Sequence, residues 1–262
     1  MERTDRSSTA AGSSVIRLGR TELRMIRFCA SLASTVMVAA CASDQTSVTD
    51  PDTPVEFRIE DPSGILADGA DRIRSVLVPV IDRVAQALEV RGVTVTVRAD
   101  AKKTIAGYGF GGWTPDGGAV DLFIDPKFPN YAGALTERLV PLLVHEMHHA
   151  RRWRGPGYGS TLFEAMISEG LADRFASEYL GTPAGPWTNA LPEDQTSRFL
   201  ALAAPYAASR SYDHARWFFG SDPALPRWTG YTLGYRLVAK YQAAHPGLTA
   251  ADLVDEPAAS FR

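Results

Sequence analysis

His145 and His149 stand four residues apart with Glu146 directly after the first of them, in the run His-Glu-Met-His-His. An α-helix turns by about 100° per residue, so positions four apart share a face. Two imidazole nitrogens on one face suit a single Zn²⁺. Glu146, one step round the helix, is placed to reach a water beside the ion without ligating it. H-E-x-x-H on a helix therefore reads as a site for metal-assisted hydrolysis, with Glu146 as general base. The alternative is an ordinary polar helix face, and the flanking residues weigh between the two.

The run before the motif, Leu139 to Val144, is apolar, as a helix at the floor of a cleft requires. After it, Arg151, Arg152 and Arg154 bring cations to a helix C-terminus, where they complement the dipole, and Gly155-Pro156-Gly157 stops the helix. Pro141 lacks an N–H, so the helix either starts near Val140 or begins near Tyr131 and kinks. A catalytic zinc takes a third protein ligand and keeps one position open. Downstream, Thr161 to Leu180 has helical apolar spacing through Leu162, Phe163, Met166, Leu171, Phe175 and Tyr179, with Glu164, Glu169, Asp173 and Glu178 as its acids. Glu169 is the best candidate ligand. Residues 150 to 168 leave room for a helix end, a turn and two turns of a returning helix. His148 reads as a surface or hydrogen-bonded histidine, and Glu164 and Glu178 as solvated charges.

The chain of 262 residues suits one domain behind a leader, and 45% hydrophobic content supports a core. A net charge of −3 gives no pointer to nucleic acid. Arg24 and Arg27 precede an apolar, small-residue stretch from Phe28 to Ala40, the layout of a secretory signal too short to span a bilayer. Val38-Ala39-Ala40-Cys41 resembles a bacterial lipobox, which implies cleavage before Cys41 and a lipid anchor on it, at the cell envelope. A soluble secreted or periplasmic protein cut after Ala40 or Ala42 is the alternative. Residues 1–24 read as an extended n-region, or Met25 as the initiator. The expected organisation is residues 1–40 as leader, 41–59 as a flexible tether and 60–262 as the domain.

That domain reads as α+β, mainly helical, with a small antiparallel sheet or hairpin ahead of the active-site helix. Residues 68–90 carry an amphipathic helical pattern with Pro79 inside it. Val93 to Val97 and Ala119 to Asp125 read as strands. Gly107, Gly109 and Gly112 match G-x-G-x-x-G, but a turn and a strand follow where a phosphate loop would open a helix, so a hairpin arm is the better reading. Further helices are expected over 193–208 and 231–244. Tyr231 and Tyr235, four apart on the last of these, and also His214, are candidate donors to an oxyanion, with plain packing as the alternative.

The spacing from H-E-x-x-H to Glu169 resembles the gluzincin peptidases. By that resemblance Asp173, one turn beyond Glu169, would hydrogen-bond His145 and fix its tautomer, and residues 119–125 would be either the cleft strand that pairs with extended substrate or an ordinary sheet strand. His-Glu-Met-His-His, Ser168-Glu169-Gly170-Leu171-Ala172-Asp173, Gly109-Phe110-Gly111-Gly112 and Gly230-Tyr231-Thr232-Leu233-Gly234-Tyr235 together resemble a bacterial family of predicted zinc-dependent proteases, over roughly residues 60–250. The resemblance implies a zincin-like fold, His145, His149 and Glu169 as zinc ligands, Glu146 as base and a peptide or protein substrate. Two rivals stay open: a zinc-binding envelope module without catalysis, and a zinc amidase acting on cell-wall fragments.

Overall fold

The computed structural model describes residues 54–262; the leader and the expected lipidation site Cys41 lie outside them. The domain begins earlier than the tether reading allows, because Glu56–Glu60 forms strand β1. Phe57 and Ile59 are its two inward residues, set between charged neighbours that face water. A long helix, α1 (Ala70–Ala87), follows and runs unbroken through Pro79. It delivers the chain to β2 (Thr94–Ala99), which pairs in parallel with β1, as a helical crossover requires.

β3 (Phe110–Asp116) and β4 (Ala119–Ile124) form the expected antiparallel hairpin, and β4 then pairs in parallel with β2. The sheet order is β1-β2-β4-β3, so the sheet is mixed. Of the alternatives the sequence left open, the antiparallel hairpin is realised within a mixed sheet, and residues 119–124 form an ordinary interior strand. The edge strands are β1 and β3, and the edge beside the motif helix belongs to β3, the glycine-containing arm.

The helical run into the motif begins at α2 (Tyr131–Ala134), passes through a π-helical turn at Leu135–Leu139, and continues as α3 (Val140–Trp153). Pro141 has no N–H to offer the Glu137 carbonyl, and just before it the Val140 N–H reaches back five residues to Leu135 O, the bond of a π turn. The second reading of Pro141, a helix begun at Tyr131 and disturbed at the proline, is the one realised. All but three of the fourteen α3 residues are buried, since α3 lies against the sheet, α1 and the next helix. Leu143, Val144 and Met147 share one core with Ile73, Leu77 and Val84 of α1 and with Val95, Val97, Leu122 and Ile124 of the sheet.

Helix α4 (Leu162–Leu180) opens on a capping box: Glu164 N–H donates to Thr161 Oγ1, and Glu164 Oε2 accepts from the Thr161 N–H at 2.9 Å. Glu164 is thus a cap as well as a partly solvated charge. Gly181, at φ 63°, ends α4 in the left-handed conformation that glycine adopts without steric cost. A short helix α5 (Thr196–Ala203) and a longer α6 (Thr229–Ala244) complete the helical layer. α6 crosses α4 with Gly234 against the Met166 carbonyl and Gly170 against Gly234, an approach that any Cβ would block. The architecture is α+β and zincin-like: a small sheet, two helices bearing the motif residues, and a helical lobe beyond. Among the described residues no helix is long and apolar enough to cross a membrane.

Candidate metal centre

The H-E-x-x-H residues sit in the middle of α3, and Glu169 and Asp173 sit one turn apart on the facing side of α4. His145 Nε2 and His149 Nε2 lie 3.0 Å apart. Glu169 Oε2 is 3.1 Å from His145 Nε2 and 3.4 Å from His149 Nε2. Zinc bonds of about 2.0–2.2 Å at tetrahedral angles set donor atoms roughly 3.3–3.5 Å apart. Three buried donors already converge at nearly that spacing, and all three are good zinc ligands by type. The residues present therefore fit the metal.

Asp173 Oδ1 lies 2.9 Å from His145 Nδ1. A carboxylate there calls for the proton on Nδ1, which leaves the Nε2 lone pair facing the triad. Burial alone would push the His145 imidazole down, but Asp173 and Glu169 together hold it well above its ordinary range. Burial would raise Glu169, yet the two imidazoles hold it well below the usual carboxylate range. The pocket of acids thus attracts positive charge, whether proton or metal.

Two further partners of these carboxylates carry no periodic signal in the sequence. Trp187, in the Pro/Gly loop after α4, donates Nε1–H to the same Asp173 Oδ1 at 2.9 Å. Tyr158, in the glycine-flanked turn before α4, donates its hydroxyl to Glu169 Oε1 at 2.7 Å. Burial, and then the Glu169 charge, raise the Tyr158 phenol well above its ordinary value, so it remains a donor.

Glu146 is held from β3. Thr114 Oγ1 lies 2.7 Å from Glu146 Oε2 and 3.1 Å from its main-chain oxygen. A Cβ on Gly112 would come within 2.5 Å of Glu146 Oε1, so only glycine lets the edge strand pass this close. Burial raises the Glu146 carboxyl above its ordinary range. That shift brings a carboxylate closer to the proton affinity a general base needs near neutrality.

These groups line a cavity of about 770 Å³, walled by β3, α3, Tyr158, Trp187, His214 and the start of α6. Tyr231 lines it too; burial, and then Glu169, Asp173 and Glu146, raise its phenol well above the ordinary value. Tyr235 does not. One turn further along α6, its hydroxyl accepts from Arg174 Nη1 at 3.3 Å, and it plays no part in the cavity wall. The i, i+4 spacing puts both tyrosines on one stripe of α6, but the cavity ends within a single turn. His214 lines the cavity stacked on Phe218, with Nδ1 3.0 Å from the Tyr212 hydroxyl. His148 is not at the surface: it is fully buried against Phe175.

A mixed sheet with a free edge beside a helix bearing H-E-x-x-H, and a glutamate returned from the next helix, is a zincin-like arrangement. Residues 78–262 match the family described as predicted Zn-dependent protease (DUF2268). That match covers well over half of the 262 residues, and the chain belongs to this family. A search of curated proteins returned no match.

Proposed function

We propose that the chain is a gluzincin-type zinc peptidase of the bacterial cell envelope, with His145, His149 and Glu169 as zinc ligands and Glu146 as general base. The observation that carries this is the convergence of His145 Nε2, His149 Nε2 and Glu169 Oε2 at 3.0–3.4 Å on the floor of a cavity large enough for a peptide segment. Zinc held there would acidify a water and polarise the scissile carbonyl. Asp173 orients the His145 ring, and Tyr158 leaves only one Glu169 oxygen to face the two imidazoles. Glu146, steered by Thr114, takes a proton from the attacking water and passes it to the leaving amine. The Tyr231 hydroxyl donates to the carbonyl oxygen as negative charge builds on it. The substrate backbone runs along β3, whose outer edge is unpaired in the sheet.

Location rests on the basic and apolar leader and on Val38-Ala39-Ala40-Cys41, which support a lipid anchor at Cys41. A Cys41→Ala protein should then leave the membrane fraction of its host.

The test is a purified, zinc-quantified protein assayed on a broad peptide library. Expected are one zinc per chain, hydrolysis stopped by a chelator and restored by zinc, and a drop of about 10²–10⁴-fold for Glu146→Gln with zinc retained. Full zinc, intact Glu146 and no cleavage of any peptide would overturn the reading.

A further inference from the structure

The charged groups that line the cavity divide by position. The carboxylates, Glu146 and Glu169, lie at its centre and are engaged by Thr114, Tyr158 and the two histidines. The remaining formal charges are all positive: Lys102 and Lys103 from the turn before β3, and Arg227 from the residue preceding Trp228 at the mouth of α6. None of the three has a carboxylate within ion-pair distance among the described residues. Asp100 is close by in sequence, but it spends Oδ1 on the Lys102 backbone N–H at 3.0 Å.

Two of the three cations are also placed by aromatic side chains. Lys103 Nζ stands 4.7 Å from the Phe123 ring centroid and 5.9 Å from that of Trp113. Arg227 Cζ stands 4.3 Å from the Trp228 centroid. Trp228 itself is held at φ 68°, a conformation strained for any residue with a Cβ. The chain as a whole is acidic, at −3, so a basic cleft runs against its average. A like-charged cleft would turn cationic peptides away, and its field would draw anionic ones in.

We infer that this cleft selects peptides carrying a carboxylate within a few residues of the bond to be cut, held by Arg227 and by the Lys102–Lys103 pair. This rests on the peptidase reading above. The carboxylate has two sources, an Asp or Glu side chain or a free peptide C-terminus, and both present the same chemistry to a guanidinium.

The experiment uses the zinc-loaded protein and four fluorogenic peptides of one backbone sequence: neutral and C-amidated, glutamate-containing and amidated, lysine-containing and amidated, and neutral with a free C-terminus. In parallel, binding of the same peptides to the Glu146→Gln protein is read by fluorescence anisotropy. Expected is a kcat/KM about fivefold higher per added carboxylate than for the neutral amide, with lysine below neutral and the spread shrinking at high salt. Preference for the glutamate peptide alone assigns a side-chain carboxylate; preference for the free terminus alone assigns the C-terminus. Arg227→Glu should reverse the glutamate-to-lysine ratio. The double variant Lys102→Gln, Lys103→Gln, at two exposed positions, should reduce that ratio towards one. Equal turnover of all four peptides, or a preference for lysine in the unaltered protein, overturns the inference and leaves the peptidase reading standing. Selective binding of the anionic peptides by Glu146→Gln, with no cleavage by the unaltered protein, keeps the inference and sinks the peptidase reading.

Discussion

Trp187 and His145 donate to the same oxygen. Asp173 Oδ1 accepts from Trp187 Nε1 and faces His145 Nδ1, each at 2.9 Å. Two donors on one carboxylate oxygen, in a site where Asp173 is 2% exposed, fix both the carboxylate plane and the imidazole ring. The tryptophan belongs to the cavity wall as well, so one side chain both lines the cavity and holds the carboxylate that faces His145.

Removing either partner should therefore loosen zinc. Asp173→Ala is expected to weaken zinc binding by about 10–100-fold. Trp187→Phe, which keeps most of the ring volume and loses only the N–H, should weaken it by less, roughly threefold to tenfold. Competition against a chromophoric chelator measures both. Zinc affinity unchanged in Asp173→Ala would show that the carboxylate does not orient the ligand.

Gly112 marks how close the edge strand comes to Glu146. Alanine there would meet Glu146 Oε1 and Cγ at 2.5 and 2.6 Å, so the carboxylate must swing away from Thr114. The expected result for Gly112→Ala is a fall in kcat of about 10²-fold, comparable with displacing a general base, and an unchanged zinc content. Parallel loss of zinc and activity would instead mean that the strand, not the base, had moved.

How far the site could be read from the sequence follows from the range of each contact. His145, Glu146 and His149 share one helix, and Glu169 and Asp173 share another, so helical periodicity groups each set and the gluzincin resemblance joins the two. Trp187 and Tyr158 stand in glycine-rich turns and meet their partners only through the tertiary fold. The identity of the edge strand is left open by the sequence for a related reason. Residues 119–124 have the stronger strand pattern because they are interior, paired on both sides, whereas β3 shows its cleft-facing glycines and an exposed Trp113. β1 hid inside the tether because only Phe57 and Ile59 mark it. His148 looked solvent-facing as a polar residue beside the motif, but α3 is covered on nearly every side.

Glu164 offers a stability test independent of zinc. Its carboxylate accepts from the Ser160 and Thr161 N–H groups at 2.8 and 2.9 Å, and the first of these chiefly holds its pKa below the ordinary 4.5. The folded chain thus favours the ionised form, so the stabilisation is complete above pH 4.5 and fades as the pH falls through the lowered folded value. Glu164→Ala should lower the unfolding free energy of the metal-free protein by about 0.5–1 kcal/mol at pH 7, a modest figure because the group is largely solvated. That difference should shrink in acid. Urea titrations of both proteins at pH 7 and pH 3.5 make the comparison, and a gap that widens in acid would contradict the cap.

Three tyrosines compete for the task of stabilising negative charge on the substrate oxygen, and their partners separate them. Tyr235 is turned to Arg174 outside the cavity, so Tyr235→Phe should leave kcat within about twofold of the unaltered protein. Tyr158 lines the cavity, but its hydroxyl is committed to Glu169 at 2.7 Å. Tyr158→Phe frees that carboxylate and should show mainly as weaker zinc binding, by roughly tenfold. Tyr231 also lines the cavity, with no hydrogen bond to its hydroxyl among the described residues and with its phenol held protonated by burial and nearby acids. A protonated donor whose hydrogen is uncommitted is what a developing oxyanion requires. Tyr231→Phe should therefore lower kcat by about 10²-fold while KM and zinc content change little. Steady-state kinetics on the three variants, each with its metal content measured, distinguishes the roles. No kcat effect at Tyr231 would remove it from the chemistry and leave it as a packing residue against Trp187 and Phe218, and a large effect at Tyr235 would contradict its place outside the cavity.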